Sequence, residues 1–323
     1  MTVFAPASVA NVACGFDVLG FALAEIGDRV TARRTSGRGV TIAAITGDDG
    51  RLPLEAARNT AGVAAAALLD AHGIADGVEI SLEKGLPLAS GLGSSAASAV
   101  AGAVAANALF DVGAPLDELL RCAVEGERVA CGAAHADNAA PSLYGGFVLV
   151  RSMKPVDIVR LPVPADLACA VLSPQLEVQT KAARQVLGDT VPLGAAIVQW
   201  ANVGALVAGL HSGDYALIGR ALHDAVAEPR RAALVPGFAD VKRAALDAGA
   251  LGCSLSGSGP AIFALCQGID SARRVADAMR TALAASAGVG GRTYVTALPC
   301  AGAQVTNPGP PEPKNPGTPN PGT

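Results

Sequence analysis

The chain is expected to be an α+β protein of two domains, and three observations predict it. Its 323 residues exceed what one average hydrophobic core serves. Short segments with period-two alternation are interleaved with longer Ala-rich segments of helical period, not segregated from them. Glycines and prolines, 38 and 21 of them, punctuate many of the junctions. Half of the residues are hydrophobic, mainly Ala, Val and Leu, while aromatics make up only 3%. The core must therefore be packed from small side chains.

Taken in order, residues 1–34 read as a short strand, a loop from about Pro6 to Phe16, and a second alternating strand. "GVTIAAITG" (Gly39 to Gly47) is a strand bounded by glycines. "RNTAGVAAAALLDAHG" places Asn59 and Thr60 at a helix N-cap and stops at Gly73. "GVEISLEKGLP" alternates Val78, Ile80 and Leu82 and is a strand. Helices are expected from about Ser94 to Phe110 and from about Pro115 to Cys131, the latter with Leu116, Leu119, Leu120, Ala123 and Val124 on one face. "GGFVLVRS" then closes the first domain. The second half has strands near "ACAVLSP" and "AIFALCQ", and helices through Gly194–Gly209, "ADVKRAALDAGALG" and Val275–Ala285. The expected division is 1–155, 156–303 and a Pro/Gly/Asn-rich tail, 304–323, that has no apolar face to bury and is expected to be disordered.

Composition removes several function classes. The net charge of -4 and the lack of a Lys/Arg cluster argue against nucleic-acid binding. Seven scattered cysteines without a CxxC pair indicate neither a disulfide framework nor a zinc site. No basic segment follows Met1, so no signal peptide is expected and a reducing cytoplasm is the expected compartment.

The decisive stretch is "PLASGLGSSAAS", Pro87 to Ser98, inside an uncharged run that reaches Phe110. The run is long enough to span a membrane, but Pro87, its glycines and serines and its Ala-rich body fit a buried core helix better, so no membrane is expected. A tight anion-binding turn explains more. Glycines admit positive φ and close approach to a ligand, and the first helical turn offers free N–H groups and the positive end of the macrodipole. Ser94 and Ser95 add hydroxyls, and Ala96 and Ala97 keep the helix slim beneath an anion. A Walker A loop is excluded, because no lysine follows a glycine.

"PASVANVACGFDVLG" (Pro6 to Gly20), "PLASGLGSSAA" and "GCSLSGSGPAIFAL" (Gly252 to Leu265) together resemble the three motifs of the GHMP small-molecule kinases. The resemblance reaches to about residue 303. "HADNAAPSLYGGF", "QTKAAR" and "AEPRRAALVPGF" resemble the branch of that family acting on L-homoserine, although Ala13-Cys14 replaces a common Gly-Pro.

The resemblance implies a ribosomal S5 domain 2-like N-terminal domain and a ferredoxin-like C-terminal domain. It implies transfer of the ATP γ-phosphoryl group to the hydroxyl of L-homoserine. It also implies a homodimer, with threonine inhibition as a further expectation. Pro87, Leu88, Ala89, Ser90, Gly91, Leu92, Gly93, Ser94, Ser95, Ala96 and Ala97 would wrap the phosphates, with Asn59 and Lys84 beside the base or ribose. Mg²⁺ would take Glu127 and Ser95, whereas Glu125 points to another side of its helix. A zwitterionic amino acid needs an anion and one or two cations. Asp17 suits the ammonium, and Arg184 and Arg231 suit a bidentate carboxylate clamp. Asn11, His135, Asn138, Thr180 and Gly257 complete the expected pocket.

Several relatives use an aspartate base near Asn138, a role that an amide cannot fill. Asp137 is adjacent, but its side chain is expected to diverge. Catalysis is therefore expected to proceed without a carboxylate base, with Asn138 orienting the hydroxyl and Arg184 stabilising charge. The rival readings are a relative with a mevalonate-type substrate and an inactive ligand sensor.

Overall fold

The structure is a computed structural model that describes residues 1–131 and 136–306. The first lobe is built on a mixed sheet of β1 (Thr2–Ala10), β2 (Leu19–Thr35), β3 (Gly39–Thr46), β4 (Gly77–Glu83), β5 (Phe147–Met153) and β6 (Val156–Leu161), joined at its edge by a late strand. Its helices are α1 (Thr60–Ala71), α2 (Ser94–Phe110), α3 (Leu116–Cys131) and α4 (Ala136–Tyr144). The second lobe has β7 (Leu167–Pro174), α5 (Thr180–Gln185), α6 (Leu193–Ser212), α7 (Tyr215–Ala221), α8 (Glu228–Arg231), α9 (Phe238–Asp247), β8 (Gly252–Leu255), β9 (Ile262–Gln267), α10 (Ile269–Ala287) and β10 (Gly291–Ala297). Finally β11 (Gln304–Thr306) returns to the first sheet.

The larger sheet runs β11-β1-β2-β4-β3, with β5 on β2 and β6 on β5. β3 and β4 are parallel and the other pairs antiparallel. β1 runs through Pro6, where a loop is expected from the sequence. A register shift between Pro6 and Ala7 absorbs the residue that has no N–H. The smaller sheet is antiparallel in the order β10-β7-β9-β8, the 4-1-3-2 order of a ferredoxin-like domain.

Two boundaries differ from the sequence expectation. β6 pairs with β5, so the first sheet extends past residue 155 to Leu161. Thr2, Val3 and Phe4 pair with Thr306, Val305 and Gln304, so the stretch expected to be a tail from 304 first supplies a strand. The remainder of that expected tail, 307–323, lies outside the described residues.

α2 is buried nearly all round, which settles the choice raised by its uncharged sequence in favour of a core helix. A side chain at Gly102 would run into the Ala61 backbone, its Cβ 2.8 Å from Ala61 Cα. Close approach of this kind between α1 and α2 explains the Ala/Gly bias of both helices.

The smaller sheet is buried on both faces, with odd and even residues of each strand meeting different partners. Leu167, Cys169 and Val171 of β7 and Phe263 and Leu265 of β9 join the first lobe's core. Ala168, Ala170, Leu172, Ile262 and Ala264 pack towards α9 and α10. Phe21, Phe147 and Phe263 meet at ring separations of 5.2 and 6.0 Å, an apolar seam that fixes one lobe on the other. Cys14, Cys122, Cys169, Cys253 and Cys266 are buried free thiols, as their apolar surroundings predict, and burial pushes the Cys14 thiol up to about 12.

α6 alone among the described helices is long and apolar enough to cross a membrane by length and composition. Leu206, Gly209 and Leu210 are buried against the lobe, and Gln199 and Asn202 hydrogen-bond into residues 223–225.

Candidate active site

Between the lobes lies a cavity of about 670 Å³. One wall is the turn that leads from β4 into α2. Ala89, Gly91 and Gly93 carry φ of 53°, 77° and 67°, and Gly93 is the N-cap of α2. Carbonyls along the turn are tied back to the protein. Ala261 N–H donates to Ser90 O (3.0 Å), Ser256 Oγ to Gly91 O (2.7 Å) and Ser8 N–H to Leu92 O (3.1 Å). The N–H groups of the first α2 turn, which have no intrahelical acceptors, are thereby set beside the cavity.

Leu88, Ala89, Ser90, Gly91, Gly93, Ser94 and Ser95 line the cavity. Pro87 does not line it and is exposed. Leu92, Ala96 and Ala97 are fully buried in the core and support the turn from behind. Among the described residues, Ser90 Oγ, Ser94 Oγ and Glu127 Oε1 are buried with no hydrogen-bond partner. Each such orphan is costly unless a ligand satisfies it.

Asn59 and Lys84 also line the cavity, but their polar ends are committed. Asn59 Oδ1 caps α1, accepting from Ala61 N–H (3.1 Å) and Gly62 N–H (3.4 Å), while its Nδ2 donates to Pro53 O (3.2 Å). Lys84 Nζ is buried against Asp28 and donates to Ser94 O (3.0 Å) and Ser98 Oγ (2.8 Å). The ammonium expected beside a base thus sits behind the turn and braces α2. Leu52, Pro53, Leu82 and Val129 form the apolar wall at this end.

At the other end Asn11 and Asp17 come from the turn after β1, where Asn11, Val12 and Ala13 hold consecutive positive φ values of 68°, 43° and 58°. Asn11 Oδ1 accepts from Asp17 N–H (3.0 Å), and its Nδ2 donates to Gly257 O (2.9 Å). Arg231, buried, donates from NH1 to Gly257 O (2.9 Å) and from Nε to Ala183 O (3.0 Å). Burial lowers its pKa. Arg184 NH1 donates to Asp17 Oδ2 (2.5 Å), so the expected ammonium partner and one expected carboxylate clamp are paired with each other. Both guanidiniums stand over the Phe16 ring, at 5.1 and 5.3 Å. Thr180, at the start of α5, and Gly257 complete this end, while His135 lies outside the described residues.

Asn138 and Glu127 occupy the middle. Asn138 Oδ1 accepts from Ser8 Oγ (2.9 Å). Glu127 Oε2 accepts from Ser95 Oγ (3.1 Å), and burial pushes its carboxyl up to about 7. Glu125 is exposed and pairs with Arg128, as its place on the helix predicts. An orphaned carboxylate oxygen beside a hydroxyl and the phosphate-sized turn is a hard-oxygen donor set that fits Mg²⁺, which binds through one or two protein oxygens and keeps waters.

Asp137 is buried and lines the same cavity as Asn138. Phe16, Asp28 and Ser8 also bear on the site: Phe16 lies under Arg184 and Arg231, Asp28 holds Lys84 and Ser8 holds Asn138, contacts made with residues distant in sequence that no local pattern signals. Asp224 is another: its carboxylate accepts from Val226, Ala227 and Glu228 N–H and from Gln199 Nε2, all within 3.1 Å, and so pins the short helix that carries Arg231.

The glycine-bearing turn at the α2 N-terminus opens on the cavity between the two lobes, an arrangement suited to binding a phosphate group. The family models for the GHMP kinase N-terminal and C-terminal domains match residues 59–146 and 206–285, and the chain belongs to that family. Within the family its likeness is to homoserine kinases. It is 52% identical to the homoserine kinase of Chlorobium phaeobacteroides, over 86% of this chain and 90% of that one. It is 44% identical to that of Xanthomonas campestris pv. campestris, over 91% and 90%. The crystal structure of homoserine kinase from Cytophaga hutchinsonii superposes with a TM-score of 0.91 at 53% identity, covering 95% of this chain and 97% of that one. Two domains of α+β class are thus the family's own architecture, as the motifs imply.

Proposed function

We propose that this kinase transfers the γ-phosphoryl group of ATP to the side-chain hydroxyl of L-homoserine, giving O-phospho-L-homoserine, a step in threonine biosynthesis. The observation that carries this reading is one cavity with a phosphate-sized turn at one end and an acid with two arginines at the other. A mevalonate-type substrate has no ammonium, so an acid set beside two arginines suits it less well than it suits an amino acid. A dead sensor has no need of the intact Ser95–Glu127 pair.

In this reading the α2 N-terminus and the hydroxyls of Ser90 and Ser94 hold phosphate oxygens, and Leu52, Pro53, Leu82 and Val129 pack on the base. Glu127 and Ser95 would hold Mg²⁺, which supplies charge neutralisation on the phosphates. Arg231, fixed by its two backbone acceptors, and Arg184 hold the substrate carboxylate. Asp17 takes the ammonium and shares Arg184. Asn138, with its carbonyl committed to Ser8, presents its amide N–H₂ to the reacting oxygens.

A second copy is the proposed partner. Leu193, Ile197 and Trp200 are exposed along one face of α6, which carries no acidic, Lys or Arg side chain. Threonine, with the same head group as the substrate, would compete for the arginine end. The reading places the enzyme in the cytoplasm, acting without nucleic acid or membrane.

The test is ADP release with Mg-ATP and homoserine, mevalonate or galactose in turn. Turnover of homoserine alone is expected. Turnover of another alcohol in preference, or of none, overturns the reading.

A further inference from the structure

Arg231 is carried on a helix too short to hold its own shape. α8 has four residues, and its opening turn consists of Arg230 N–H (3.1 Å) and Arg231 N–H (2.9 Å) donating to Ala227 O. A single turn of helix is not stable in water by itself. The direction of the Arg231 side chain therefore depends on what fixes residues 223–228.

Side chains do so. Gln199 Oε1, half-buried on α6, accepts from Ala225 N–H (2.8 Å). Buried Asp224 accepts at Oδ1 from Val226 N–H and Ala227 N–H (2.8 Å each), and at Oδ2 from Glu228 N–H (2.8 Å). Four successive backbone donors, 225–228, thus end on side-chain oxygens. Gln199 Nε2 donates to Asp224 Oδ1 (3.1 Å) and joins the two acceptors, and Asn202, one turn along α6, donates to His223 O (3.2 Å). The Glu228 carboxylate is held in turn by Lys242 Nζ of α9 (2.5 Å) and Ser254 Oγ of β8 (2.6 Å).

Neither Asp224 nor Gln199 lines the cavity, whereas Arg231 does. Arg231 gives Nε–H to Ala183 O and an NH1 hydrogen to Gly257 O, and the other N–H groups of the fork suit a carboxylate. Bidentate contact requires the fork in the plane of its partner, so a small rotation of α8 weakens it.

We infer that Asp224, locked by Gln199, is a positioning residue for the substrate: it aims Arg231 at the amino-acid carboxylate and acts on the reaction through Arg231 alone. The inference rests on the proposed homoserine reading. An acid is what this place demands, because a carboxylate accepts four N–H bonds on two oxygens and donates none. An asparagine would turn its own N–H₂ against either Glu228 N–H or the Val226 and Ala227 pair.

The test is a mutant cycle. Asp224→Asn, Gln199→Met, Arg231→Gln, Asp224→Asn/Arg231→Gln and Gln199→Met/Arg231→Gln are compared for kcat and KM with homoserine, for affinity of a fluorescent ADP analogue, and for melting temperature. Asp224→Asn should raise the homoserine KM about tenfold and Gln199→Met about threefold, with kcat within about threefold and analogue affinity within about twofold of wild type. In the Arg231→Gln background either substitution should lower kcat/KM by less than about twofold, because the group it aims is gone. Fully additive losses overturn the inference, and so does a homoserine KM within about twofold of wild type in Asp224→Asn. A loss of kcat or of analogue affinity matching the rise in KM also overturns it, and makes Asp224 a general brace of the fold. If Asp224→Asn fails to fold, Gln199→Met decides by the same cycle. If wild type turns over mevalonate or galactose in place of homoserine, the homoserine reading fails by itself. The cycle is then run on the accepted alcohol, where additive losses overturn the role of Asp224.

Discussion

Lys84→Met separates two roles for the lysine that precedes the phosphate turn. Asp28 is fully buried: its Oδ2 receives the Lys84 ammonium and the Ser98 hydroxyl (2.7 Å), and its Oδ1 the Gly85 N–H (3.1 Å). Methionine keeps most of the stem and removes the cation, leaving Asp28 charged without its partner and the Ser94 carbonyl without its donor. Breaking a buried pair on one side costs about 3–5 kcal/mol, because the remaining charge stays buried. Asp28→Asn/Lys84→Met removes both charges and should lie within about 2 kcal/mol of the parent, a coupling well above measurement error. Urea unfolding followed by far-ultraviolet circular dichroism reads these differences. The fluorescent ADP analogue reads binding in the folded fraction, and affinity should fall less than threefold in the double variant. If Lys84→Met is as stable as the parent within about 1 kcal/mol while nucleotide affinity drops tenfold, the bracing role is refuted. Lys84 then reaches the base or ribose, as the sequence resemblance implies.

Gly93→Ala should weaken the cradle specifically. The left-handed conformation costs an alanine roughly 1–2 kcal/mol, and its Cβ would meet Ser8 Oγ and, at 2.8 Å, Asn138 Oδ1. Gly113→Ala carries the same backbone cost, at φ 69° with nothing within 4 Å, and is the control. ADP-analogue affinity should fall at least tenfold in the first and stay unchanged in the second; equal losses would place the effect in general stability. Glu127 makes a pH prediction. Its folded carboxyl titrates at about 7 against 4.5 when unperturbed, so the ligand-free fold holds the proton more tightly than the unfolded chain does. Its contribution is full below about 4.5 and is lost as pH rises through about 7, so the wild type should lose stability across that window. Glu127→Gln should flatten that loss by about 1.3 kcal/mol in unfolding free energies from urea titrations compared at pH 6 and 8; an unchanged slope would refute the cause.

Legibility followed the range of the interactions. α2 begins at Ser94 and ends at Phe110 as its sequence indicates, because a positive-φ glycine, a helix-forming run and a stop all sit within one stretch. α4 is absent from the expected elements because it is short and interrupted by Pro141, and its packing against β1, β2 and β5 supports the helix. β11 was missed because three residues in a Pro/Gly-rich context carry no strand pattern until β1 offers its free edge. Site residues behaved alike. Asn11, Asp17, Arg184 and Arg231 come together as their motifs imply, because each motif is a local turn or helix that carries its own side chain inward. What each polar atom touches was not legible. Lys84 could not be known to face Asp28, 56 residues away, nor Asn138 to face Ser8. The second of these contacts bears on the chemistry: once Ser8 Oγ donates to the Asn138 carbonyl, the free end of that amide can only donate.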